Sequence, residues 1–167
     1  MSAPIAIITI RHPWAHLIAT GQKTVEARAW PTKHRGWLAI HAGSPGGIEW
    51  APLARLQTIG LLEHADAELR ETGGHVVAIA QLVDCQPWRP ESHLRHAVSA
   101  QLDIEQCAAV ASTFRAARFA WRLADVVPIA PIPWRGRQGL LPVNDPHDLQ
   151  LLRAAYAEAR PAQRGAA

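Results

Sequence analysis

The chain reads as one α+β domain, and three features of the sequence predict it. Runs rich in Ile, Val and Ala at 5–10, 37–42 and 75–85 have strand character. Stretches with helical spacing of apolar residues lie between and after them. The 167 residues are 49% hydrophobic with a mean hydropathy near zero, a size and balance suited to a single core. Residues 1–160 are expected to form that domain and residues 161–167 a frayed tail. No apolar run approaches bilayer-spanning length, and the apolar start lacks a basic leader and is too short for an export signal, so a cytoplasmic location is expected.

The elements follow in order. A strand at 5–10 leads into a helix at 13–20, where Pro13 suits the first turn and Gly21 can take the left-handed conformation that ends it. A strand at 24–29 comes next, then a basic loop at 32–36 containing Lys33, His34 and Arg35, and a strand at 37–42. The segment 49–72 carries Leu53, Leu56, Leu61, Leu62 and Leu69, and reads as helices divided near Gly60 and ended by Gly73 and Gly74. The run 75–85 reads as a central strand. Residues 91–117 are mostly helical by composition. A strand at 119–127 is interrupted by the proline-rich turn 128–133. The last helix is capped by Asn144 or Asp145, takes Pro146 in its first turn, and has Leu149, Leu152, Ala155 and Tyr156 as its apolar stripe.

Chemistry concentrates in the segment 21–28. Val25, Ala27 and Ala29 alternate with Thr24, Glu26 and Arg28, so the polar three share one strand face, with Lys23 at its entrance. Glu26 can hold the basic groups and accept a hydrogen bond from a base edge or sugar hydroxyl, while Lys23 and Arg28 meet phosphate or a carbonyl. The same side chains also suit an ion-paired stripe in which Glu26 orders Arg28. Lys23 is expected at the surface, where its removal would cost little stability.

The pattern G-x-K-x-x-E-x-R at 21–28 is the signature of the activating signal cointegrator homology (ASCH) domain, a branch of the PUA-like β-barrels, and the chain resembles that family beyond the motif. Ile8 to Ala15, Arg35 to Ala42, Ala120 to Leu123 and Gly136 to Leu140 are similar to the family's flanking segments, so the likeness spans about residues 5 to 143. It implies a PUA-like mixed β-barrel with peripheral α-helices. Some members look like RNA- or DNA-binding modules, and others are ribonucleases or amidohydrolases that remove the acetyl group from N-acetylated cytidine nucleosides. The amidohydrolase branch uses a lysine, a threonine and a glutamate. Lys23 matches its lysine, but Glu26 stands where its threonine nucleophile falls, and Thr24 is the fallback hydroxyl. A carboxylate does not replace an alkoxide in acyl transfer.

Charge is unevenly spread. Residues 1–60 carry six Lys/Arg against two Asp/Glu, residues 61–110 three against eight, and residues 111–167 eight against four. A basic barrel with an acidic face turned away from a polyanion follows. If Lys23, Arg28, Lys33, Arg35, Arg135 and Arg137 line one surface, about four phosphates are neutralised and the log–log salt slope for single-stranded RNA is near −3. Arg135 and Arg137 flank Gly136 in a loop where guanidiniums and backbone amides can converge on an anion. Among seven tryptophans, Trp14 and Trp30 flank the motif and suit cleft walls on which bases stack. Trp37, Trp50 and Trp88 suit core or subunit contacts, and Trp134 is assigned to neither class.

No P-loop, dinucleotide fingerprint or G-x-S-x-G elbow is present in the sequence. The two cysteines, Cys85 and Cys107, have no C-x-x-C spacing and read as buried thiols. His12 with His16 and His93 with His96 lack a third ligand in sequence, so no metal and no cofactor is expected. His41 ends a strand near the basic loop and can serve as acid, base or stacking ring. The expected partner is RNA or a modified nucleoside, with DNA a further candidate, and no membrane. No sequence feature sets an oligomeric state. The alternative is a metal-independent hydrolase in which Lys23 stabilises an oxyanion or phosphorane and Glu26 or His41 moves protons. A coactivator-like interaction module is the second alternative.

Overall fold

A computed structural model describes residues 3–63 and 65–164, with side chains followed through Arg160. Among these residues the strands are β1 (Ile5–Ile10), β2 (Val25–Arg28), β3 (Gly36–Ala42), β4 (His75–Pro87), β5 (Phe119–Pro133) and β6 (Leu140–Pro142). They form one sheet in the order β2-β5-β4-β3-β1-β6. β1 and β3 run parallel and the other neighbours antiparallel, and the mixed sheet curls into a half-barrel with peripheral helices. The helices are α1 (Trp14–Ala19), α2 (Trp50–Thr58), α3 (Asp66–Thr72), α4 (Pro90–Val98), α5 (Ile104–Ala108) and α6 (Pro146–Arg164). None is long and apolar enough to cross a membrane.

The apolar run of β1, interrupted only by Thr9, has a physical reason: the strand is covered on both faces. Ala6, Ile8 and Ile10 enter the main core with Leu17 of α1, Leu53 of α2 and Leu69 of α3. Ile5 and Ile7 point the other way, into a second core closed by Leu152 and Tyr156 of α6. β4 and β5 pair through three register shifts, at Val76/Ala78, Ile79/Gln81 and Leu82/Asp84. Each irregularity bends the strand and adds twist, which lets so long a pair curl. Asp125, with φ of 48°, sits within one of them; aspartate tolerates the left-handed region better than most residues.

Two expectations need correction. The proline-rich segment 128–133 does not interrupt β5 but continues it to Pro133. β2 covers only Phe119–Arg122 of β5, so beyond Arg122 that edge has no strand partner among the described residues, and prolines are tolerated on such an edge. The stretch 91–117 is less helical than expected. It breaks after α4, where Ser99 is extended, and restarts at a capping box in which Asp103 accepts from the Gln106 N–H and Gln106 from the Asp103 N–H. A 3₁₀ turn at Ala111–Phe114 follows α5.

The other elements lie where the sequence places them. Gly60, with φ of 75°, follows α2 and separates it from α3. Asp145 caps α6, its Oδ1 accepting from the N–H groups of His147 and Asp148 at 2.9 and 3.1 Å. α6 runs to Arg164; the remainder of the expected tail, residues 165–167, lies outside the described residues.

Candidate functional site

A cleft of about 800 Å³ opens where the parallel strands β1 and β3 end. Thr9 and Arg11 line it from β1 and the following loop, His41 from β3, and Glu26 and Arg28 from β2. Trp30, Phe114, Trp134 and residues 136–139 supply walls. No carboxylate from residues 61–110 lines it. Four cations (Arg11, Lys23, Arg28, Arg137) face two carboxylates (Glu26, Glu49), a local balance of +2.

Lys23 lies beneath this cleft rather than on its surface. It is 1% exposed, and its ammonium donates to the Val25 carbonyl at 2.6 Å and the Ala97 carbonyl at 2.8 Å. Glu26 Oε2 lies 3.3 Å away. Three acceptors match the three N–H groups of an ammonium. Burial pushes the Lys23 pKa below the ordinary lysine value, while Glu26 opposes that shift. The rings of Trp14 and Phe114, each 5.6 Å from Nζ, add cation–π attraction. The expectation of a solvent-exposed lysine is therefore corrected.

Glu26 bridges the two cations. Its Oε1 is 3.0 Å from Arg28 Nε, an approach that pairs the charges without the alignment of a hydrogen bond. Arg28 is anchored instead by donation from its terminal nitrogen to the Thr9 carbonyl at 2.9 Å. This ties β2 to β1 across the cleft floor.

On the opposite side, a register shift at Ile40/His41 breaks the β3–β4 pairing beside His41, which is 2% exposed. Nε2 donates to the Trp134 carbonyl at 3.2 Å, since a carbonyl only accepts. Burial holds the imidazole pKa below its ordinary value, and Nδ1 lies 3.1 Å from Thr9 Oγ1. Thr9 donates its hydroxyl proton to the Arg137 carbonyl at 3.0 Å. Gly136 packs onto this pair so closely that a Cβ there would lie 2.4 Å from His41 Cε1. The loop thus rests on the sheet through one histidine nitrogen, one hydroxyl and a residue without a side chain.

Comparison with known proteins decides the family: residues 8–133 match the ASCH domain. The chain belongs to the ASCH domain family. Human activating signal cointegrator 1 is 35% identical over 82 residues, covering 47% of this chain, and the mouse protein of the same name is 34% identical over 82 residues. The matched part is only 14% of either cointegrator's length. The crystal structure of ASCH from Zymomonas mobilis has a TM-score of 0.55 at 19% identity, covering 89% of this chain and 93% of that one. A mutant form of the same Zymomonas mobilis protein gives 0.56 at 20% identity, covering 89% and 96%. At such identity the likeness establishes the fold.

Within this ASCH domain the cleft brings together Lys23, Glu26, Arg28, His41, Trp14, Trp30 and Arg137. Four residues singled out in the sequence stand elsewhere. Thr24 turns from the cleft, with its hydroxyl 3.4 Å from His96 Nδ1, so it does not share the face of Glu26. Lys33 is exposed and does not line the cleft. Arg35 pairs with Asp84 at 3.5 Å, and Arg135 lines a neighbouring cavity. Trp14 is 7% exposed and donates to Glu49 Oε2 at 2.7 Å, so little of its ring is open for stacking. Trp30 and Trp134 are half-buried. Trp37 packs on Tyr156 and Trp88 on Phe114, whereas Trp50 is 43% exposed under the Arg70 guanidinium and is not a core residue.

Sequence reading missed Thr9, Arg11 and Glu49. Thr9 carries the one visible signal, as the single hydroxyl in an otherwise apolar strand. The one described group of side chains spaced to hold a metal ion is Asp145, His147 and Asp148, and Asp145 already caps α6 through two backbone N–H groups.

Proposed function

We propose that this ASCH domain binds single-stranded RNA, taking one base into the cleft, with a modified nucleoside as the smallest ligand of the same chemistry. What supports this reading is one cavity lined by two half-buried indoles, Trp30 and Trp134, together with the guanidiniums of Arg11, Arg28 and Arg137. A base stacked on an indole gains roughly 1–3 kcal/mol, and arginines hold the backbone without selecting sequence. Glu26, fixed between Lys23 and Arg28, offers an acceptor to a base edge or sugar hydroxyl. Trp30 is braced for this role by Trp121, whose ring meets it edge-on at 4.6 Å.

Hydrolytic chemistry has less support. Lys23 has its three N–H groups committed to protein acceptors, leaving none for an oxyanion. Thr24 faces His96 rather than the cleft, and both ring nitrogens of His41 are engaged.

Fluorescence anisotropy with a short single-stranded RNA tests the reading. With two to three phosphates neutralised, the log–log salt slope is about −2, shallower than the −3 predicted from six converging cations, because Lys33 and Arg35 lie elsewhere. Arg11→Glu, at a side chain 66% exposed, lowers affinity about tenfold without unfolding the protein. A flat salt response and an unaffected Arg11→Glu variant remove the proposal.

A further inference from the structure

We propose that the cavity between the Trp134–Arg137 segment and the start of α6 is a second base-binding subsite, occupied by the nucleotide that flanks the one in the cleft. The proposal rests on the cleft reading above and makes the ligand a strand instead of a free nucleoside. This second cavity measures about 370 Å³, at the lower end of the range for small-molecule sites and therefore suited to one base rather than a longer segment.

Continuity with the cleft is the first argument. Trp134, Gly136 and Arg137 line both cavities, so the partition between them is a short stretch of one loop. At its middle stands Gly136, whose backbone seats directly on the sheet and keeps the partition low. His41 and Thr9 press on Gly136 from below, and a Cβ has no room there. Arg135 lines only the second cavity and Arg137 both. Both are exposed, so a phosphate crossing the partition passes between two guanidiniums.

The chemistry of the walls is the second argument. Ile7, Leu141 and Val143 provide an apolar surface beside the Trp134 indole, which suits the flat faces of a base. Asn144 and Asp148 provide a carboxamide and a carboxylate. A carboxylate repels phosphate but accepts hydrogen bonds from amino and imino groups on a base edge. An apolar slot with acceptors on one side and guanidiniums at the partition therefore fits a base attached to a phosphodiester, rather than a free anion.

The test is calorimetric titration of the full chain with cytidine monophosphate and with single-stranded RNA of four nucleotides. In wild type the tetranucleotide binds at least tenfold tighter than the mononucleotide. Asn144→Trp, which fills the second cavity without changing charge, brings the tetranucleotide to within about threefold of the mononucleotide and leaves the mononucleotide unchanged. Arg135→Ala also weakens the tetranucleotide. Circular dichroism verifies that each variant is folded. If Asn144→Trp leaves tetranucleotide affinity intact while Arg11→Glu still weakens it, the second subsite is wrong and the cleft reading stands. If Arg135→Ala weakens binding but Asn144→Trp does not, Arg135 acts as surface charge and the subsite is again overturned. Absence of binding to wild type, or indifference of the mononucleotide to Arg11→Glu, overturns the cleft reading itself.

Discussion

Lys23 holds its ammonium 3.3 Å from the Glu26 carboxylate with only 1% of the residue exposed, so the basic centre of the motif is part of the interior. Removing one partner of a buried ion pair leaves the other without compensation, at a cost of about 3–5 kcal/mol. Lys23→Ala is therefore expected to lower the unfolding free energy in urea by that amount, opposite to the small effect expected of a surface lysine. Two backbone carbonyls, of Val25 and Ala97, lose their donor as well. Glu26→Gln is expected to cost less in a Lys23→Met background than in wild type, since the charge it balances is gone. A Lys23→Ala protein as stable as wild type contradicts this role.

The contact between Gly136 and His41 leads to a second prediction. Gly136→Ala places a methyl group 2.4 Å from His41 Cε1, and such overpacking costs about 1–3 kcal/mol. The loop must lift, so RNA affinity is expected to fall along with stability. In a His41→Ala background the same change is expected to be nearly neutral in urea denaturation, because the obstructing ring is absent. Equal costs in both backgrounds contradict the account of the loop.

Acid stability follows from His12, which is 1% exposed. Thr72 donates its hydroxyl proton to the Glu68 carbonyl at 2.7 Å, so the 3.1 Å contact with His12 is donated by the His12 Nε2–H. Nδ1 is left buried with no partner, and a second proton there has no acceptor. Burial, with a smaller contribution from His16, lowers the pKa from 6.5 to about 4. Because the folded value lies below the unfolded one, stability is full above pH 6.5, falls as pH drops from 6.5 to about 4, and levels below that. The loss from this group amounts to about 3 kcal/mol. His16, His41 and His93 are shifted in the same direction. Urea midpoints measured from pH 7.5 to 4 are expected to trace this fall, and His12→Gln is expected to flatten it.

How much was readable in advance depended on how local the cause was. Strands at 5–10, 37–42 and 75–85 were legible because burial on both faces leaves an apolar run in the chain itself. The continuation of β5 through Pro128, Pro131 and Pro133 was not, because the open edge that tolerates those prolines is set by how short β2 is. The Asp103–Gln106 capping box was present in the sequence as a D-x-x-Q spacing and marks the start of α5. The motif residues Glu26 and Arg28 line the cleft together with Ala27, which the alternation places on the other face, while Thr24 turns toward His96. Lys23 was misjudged because its burial depends on Ala97, which is distant in sequence. Thr9 and His41 meet only through the parallel register of β1 and β3.

The indole resonances of the protein test the central proposal most directly. The seven tryptophans give separate Nε1–H signals in a proton–nitrogen correlation spectrum, assignable by single substitution. On titration with single-stranded RNA, the signals of Trp30 and Trp134 are expected to move progressively to saturation, while those of Trp37, Trp50 and Trp88, which do not line the cleft, remain in place. Saturable RNA binding that leaves Trp30 and Trp134 unmoved, or that shifts Trp50 instead, contradicts the assignment of the cleft as the binding site.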